Sequence, residues 1–118
     1  MNAKRLERVA ALIHREVAVF IERRVKHPDF GFVTVTSVKV ASDLKTAKIL
    51  VVCRGDEEER RASFRILEKC VPAIRRELKS ALTLRWIPNL VFSNDESFDH
   101  ADRIGLLLRE IKSEEKDT

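Results

Sequence analysis

Seven cations, Arg61, Arg65, Lys69, Arg75, Arg76, Lys79 and Arg85, fall within one short stretch, residues 56–86. Guanidinium groups hold phosphate oxygens through paired N–H donors and an ammonium does so as a point charge, so the chemistry open to such a series is anion binding. Arg61, Arg65, Lys69, Arg76 and Lys79 share one helical face. Beside it lies an apolar face of Leu67, Val71, Ile74 and Leu78, which recur at spacings of three and four. Residues 60–85 contain eight basic residues and two acidic ones, Glu68 and Glu77, a surplus of six in a chain whose net charge is +4. The remainder is therefore acidic by two, and the positive charge is a local property. A polyanionic partner such as a nucleic acid suits this pattern, because clustered cations gain most from counterion release. A solvated helix face with the same charges is the plain alternative.

Other chemistry finds little support. Gly31, Gly55 and Gly105 are isolated, so no glycine-rich phosphate loop is present. No GxSxG, HExxH or CxxC occurs. Asp95 and Glu96 are adjacent carboxylates in an expected turn, where capping suits them better than acid–base work. Cys53 and Cys70 make no disulfide framework and read as small apolar groups, while His14, His27 and His100 stand singly. The expectation is a protein without metal, cofactor or catalytic residues.

These cations must be positioned by a small fold. A chain of 118 residues, 44% hydrophobic and 36% charged, suits one domain with a charged surface. No apolar run approaches the ~20 residues that span a bilayer. The opening residues lack an apolar h-region and a small-residue cleavage site, so the expected compartment is the cytoplasm and the expected state a monomer.

The first helix is expected over 4–25, with Leu6, Val9, Ala10, Ile13, Val17, Phe20 and Ile21 as its apolar stripe and His14 at its boundary. Pro28 and Gly31 follow it, the glycine read as permitting a turn. A strand over 32–40 has valines that change parity, Val33 and Val35 against Val38 and Val40, which predicts a bulge near Ser37. A second strand over 46–54, with Ala47, Ile49, Val51 and Cys53 on one face, completes an antiparallel hairpin. Asp56 is the expected N-cap of the basic helix, and Glu57, Glu58 and Glu59 suit the positive end of its dipole.

Pro72 lacks an N–H and crowds the carbonyl of Glu68, so two helices meeting at Cys70-Val71-Pro72 are predicted. A third strand near 90–94, a last helix from Phe98 or Asp99 to about Lys112, and an acidic tail over 113–118 complete the chain. The order is α-β-β-α-kink-α-β with a C-terminal helix. It predicts an α+β domain over 1–112, whose three-stranded sheet is covered by helices on one face.

That order resembles a type II K-homology domain, whose usual GxxG loop is missing here. The chain is similar to one bacterial family with this fold and without the loop, ribosome-binding factor A. Arg5-Leu6-Glu7-Arg8-Val9 resembles its opening RxxRV, and residues 31–47, GFVTVTSVKVASDLKTA, resemble GxVTVTxVxVSxDLxxA. Residues 84–92, LRWIPNLVF, resemble LRxxPxLxF. Asp95, Ser97, Arg103, Ile104, Leu107 and Leu108 resemble DxS…RI…LL. The chain departs from the family's Ala-x-Gly kink at Cys70-Val71-Pro72, and from a later glycine at Ala101.

The resemblance implies a non-catalytic assembly factor that binds the immature small ribosomal subunit and its rRNA, assisting late maturation and rRNA processing, with a link to cold adaptation. It also implies that Val33, Val35, Leu44, Leu84, Pro88 and Phe92 are core or turn residues. Contact residues are instead expected from the charge pattern: Arg61, Arg65, Lys69, Arg75, Arg76, Lys79 and Arg85, extended by Arg5 and Arg8. Base stacking is expected to be minor, because most of the phenylalanines read as buried. The alternative function is an adaptor whose basic face docks an acidic protein.

Overall fold

In a computed structural model, which describes residues 3–96, helix α1 (Ala3–Arg24) precedes strands β1 (Val33–Val40) and β2 (Thr46–Cys53). Helix α2 (Glu57–Ala81) and strand β3 (Asn89–Asn94) follow. The expected last helix, the tail and Ala101 lie outside the described residues. The sheet order is β1-β2-β3, with β1 antiparallel and β3 parallel to the central β2.

The valine parity change has the predicted cause. Register shifts between Val35 and Ser37, so Val33 and Val35 oppose Cys53 and Val51, while Val38 and Val40 oppose Ile49 and Ala47. One extra residue thus returns all four valines to the face that carries the buried side of β2. Thr36 sits at the bulge, its hydroxyl 2.7 Å from the Asp95 carboxylate and 3.2 Å from the Leu50 carbonyl. On β3, Leu90 opposite Ala47 and Phe92 opposite Ile49 continue the same apolar layer.

Both helices cover that layer. Val9, Ile13, Val17, Phe20 and Ile21 are the buried stripe of α1, and Leu67, Ile74 and Leu78 that of α2. Val71, expected on the buried face, is half-buried against the core. Cys53 is buried in this core and Cys70 packs against it, neither in a disulfide, with burial pushing the Cys70 thiol pKa up.

Two local expectations are corrected. The chain forms one unbroken helix from Glu57 to Ala81, with Pro72 inside it, rather than two helices meeting there. Pro72 and Glu68 are both exposed, so water can solvate the carbonyl that proline leaves without a donor. The buried Leu67 and Ile74 on either side hold both halves to the sheet. Secondly, Gly31 has no positive φ; among the described residues only Leu44 and Gly55 do. A Cβ at Gly31 would make ordinary contacts at 3.6 Å, so the turn does not demand glycine there. The Gly31 N–H donates instead to the buried Ser63 hydroxyl, 3.0 Å away, tying the loop after α1 to α2.

The start of α2 follows from its first residues. Asp56 Oδ1 accepts the Glu59 N–H at 2.8 Å, and Glu59 Oε1 accepts the Asp56 N–H at 3.3 Å, closing a capping box. The Glu59 backbone donor holds the Asp56 carboxyl below its ordinary pKa of 3.8. A depressed carboxylate pKa adds stability above the unfolded-state value, and this is lost as pH falls through the folded-state value. The Asp56→Ala variant is therefore expected to unfold at lower urea than the parent at pH 7. The gap between their midpoints should narrow at pH 3, and a gap independent of pH would exclude the ionised cap.

Candidate nucleic-acid interface

Helical geometry turns the cations of α2 into a stripe. Arg65, Lys69, Pro72, Arg76 and Lys79 follow one another at spacings of four, three, four and three, which keeps all five on one side of the cylinder. Pro72 thus occupies the middle of the cationic face. Arg65, Lys69, Arg76 and Lys79 are exposed, as are Arg61 and Arg85.

The stripe runs past two grooves. The first, about 420 Å³, is lined by Cys53, Glu57, Arg60, Arg61, Phe64, Arg65 and Asn94. Here Arg61 is partly neutralised by an ion pair with Glu57, one turn earlier. Arg65 also borders an acidic hollow containing Asp29, Asp56, Glu58 and Glu59. The second groove, about 510 Å³, is lined by Val71, Pro72, Arg75, Arg76, Lys79, Leu84, Arg85, Trp86 and Ile87. Among the described residues it combines four cations and an indole with no carboxylate, and it is the stronger anion site of the two.

Within that groove the basic residues differ in role. Arg75 is half-buried and donates through Nη2 to the Ile87 carbonyl at 3.0 Å, fastening the loop before β3 to α2. Its Nε is buried with no acceptor among the described residues. Arg76, Lys79 and Arg85 enter no ion pair among the described residues. Glu77, the acidic residue between Arg76 and Lys79, is paired with Arg24 of α1. Arg24 also lies over the Phe20 ring, 5.0 Å from its centroid, so the first helix draws off a carboxylate that would compete for the groove's cations.

The structure therefore brings Arg75, Arg76, Lys79 and Arg85 together, and separately Arg61 with Arg65. Lys69 lines neither groove, and neither do Arg5 and Arg8, exposed on the first turns of α1. The lining residues absent from the expected contact set include a cation, Arg60, which borders the first groove, and an indole, Trp86, 54% exposed beside the second. The Arg85 guanidinium carbon stands 5.8 Å from the Trp86 ring centroid. The available signal was an Arg-Trp pair in the loop between the basic helix and β3.

Among the described residues no three His, Cys, Asp or Glu side chains gather as a metal site, and no helix is long and apolar enough to cross a membrane.

Two helices on one face of a mixed sheet, with cations along the second helix, define the class as a KH-like α+β domain. Residues 5–108 match the family described as Ribosome-binding factor A. The ribosome-binding factor A of Brevibacillus brevis is 45% identical over 114 residues, covering 97% of this chain and 94% of that protein. The crystal structure of the Thermus thermophilus factor superposes with a TM-score of 0.67 at 21% identity, covering 75% of this chain and 93% of that one. A homology model of the Thermus factor, fitted into a cryo-EM map of its complex with the 30S particle, gives 0.61 at 23% identity, covering 71% and 88%. The chain belongs to the ribosome-binding factor A family.

Proposed function

We propose that this protein is a ribosome assembly factor that binds the immature small subunit and its rRNA, in the cytoplasm and without catalysis of its own. The supporting observation is the cationic stripe of α2, which ends in a groove where no carboxylate among the described residues engages Arg76, Lys79 or Arg85. Cations without an acidic partner among the described residues, and with room beside them, suit a phosphate backbone. The kinship with a factor fitted to a 30S particle supplies the partner. In this role the factor assists late folding and processing of the rRNA, with greatest importance in the cold, when misfolded RNA is slow to rearrange.

Co-sedimentation with cellular ribosomal particles across a salt series tests the reading. The expected result is selective binding to small subunits that declines as salt rises, because each neutralised phosphate releases counterions. Recovery of the protein only in the soluble fraction at low salt would overturn it in favour of an adaptor for an acidic protein.

A further inference from the structure

We propose that the groove beside Pro72 holds one unpaired RNA base stacked on Trp86, with Arg76 and Lys79 taking the flanking phosphates. The inference rests on the ribosomal reading above and extends it from charge to base recognition, against the expectation that stacking is minor.

Three observations converge on it. Trp86 leaves 54% of its surface in water, although a large aromatic side chain is among the groups that gain most from burial. The groove it lines, at about 510 Å³, lies within the range of small-ligand sites, and its apolar residues Val71, Leu84 and Ile87 could receive a flat base. Its cations include Arg76 and Lys79, one turn apart on the helix. An acidic peptide would use the cations and leave the indole idle. A single-stranded nucleotide uses both, since every base has a π-face and every linkage a charge.

The indole is also held in place. Arg85 lies over its ring, and Arg75 ties the neighbouring Ile87 carbonyl to α2, which makes Arg75 a positioning residue. A fixed platform loses less freedom on binding than a mobile one.

Trp86 is the single tryptophan and the chain has no tyrosine, so its emission reports on this groove alone. The full chain is titrated with a single-stranded octamer of adenylate and with an abasic octamer of equal charge. The adenylate octamer is expected to quench the indole and bind about tenfold more tightly than the abasic one. Trp86→Ala should erase that difference and Trp86→Phe should keep part of it. Equal binding of the two octamers by the parent protein, equal weakening of both by Trp86→Ala, or equal competition by polyglutamate would each overturn the proposal.

Co-sedimentation separates this outcome from the wider reading. Parent protein that binds small subunits but shows no base-dependent quenching leaves the ribosomal role standing without the stack. Quenching without small-subunit binding retains the stack and removes that role.

Discussion

Replacing Arg76, Lys79 and Arg85 together by alanine is expected to weaken small-subunit binding by about a hundredfold near physiological salt, with little change in urea stability. The expectation follows from their surroundings. All three are exposed and line one groove, and none is engaged by a carboxylate among the described residues, so their removal leaves no buried partner unpaired. Each single-strand phosphate contact contributes about 0.7 to the slope of log affinity against log salt, so the triple variant should flatten that slope by about 2. Arg75→Ala supplies the contrast. Its guanidinium holds the Ile87 carbonyl, so the variant should lose about 1–3 kcal/mol of stability as a charged hydrogen bond is broken. Binding titrations at four salt concentrations, with urea unfolding of each variant, would check both halves. A triple variant that binds as tightly as the parent would move the interface away from the Pro72 groove.

The sheet was legible in advance because strands write burial into parity. Ala47, Ile49, Val51 and Cys53 share one buried parity, although Val52 on the opposite parity is buried as well, and the valine slip on β1 located the bulge to within a residue. The Asp56 cap was equally readable, since its donor lies three residues away. Features that depend on distant chain were harder to see. Gly31 looked like a turn glycine, yet its N–H bonds to Ser63, thirty-two residues on, and its backbone is ordinary. The left-handed residue of the hairpin is Leu44, at φ 60, a conformation leucine seldom adopts. Its N–H donates to the Ala41 carbonyl at 2.8 Å and its side chain packs on the core, which together offset the local strain. Asp95, read as a turn or capping residue, also accepts the Thr36 hydroxyl across the sheet, a contact that sequence spacing could not show. In the candidate site, sequence supplied the cations but could not rank them. Arg75 and Arg76 are neighbours in the chain, and only folding makes one a brace and leaves the other exposed in the groove. The same limit hid Trp86, since exposure of an indole is decided by how the loop lies on α2.

Pro72→Ala is expected to stabilise the protein by about 1–2 kcal/mol and, at the same time, to lower its affinity for small subunits several-fold. A proline inside a helix costs about 3 kcal/mol relative to alanine, through the missing bond to the residue four earlier and the clash of its ring. That penalty is local, which is why sequence rules predicted a break. Leu67, Ile74 and Leu78 are almost fully buried, and each contributes about 1.5–3 kcal/mol by leaving water. Ending the helix at Pro72 would put the latter two at risk, so the continuous helix prevails. Alanine restores the donor to the Glu68 carbonyl, while the greater freedom it gives the unfolded chain offsets part of the gain. The effect on binding comes from position. Pro72 lies between Lys69 and Arg76 on the cationic face and lines the groove itself, so losing its ring removes part of the groove wall between those cations. Urea unfolding and co-sedimentation of one purified variant would read both quantities. A gain in stability with unchanged affinity would mean that proline is tolerated on this face without aiming it. A loss of stability would mean that the packing of α2 on the sheet depends on proline at this position, and the cationic face could then no longer be varied independently of the core.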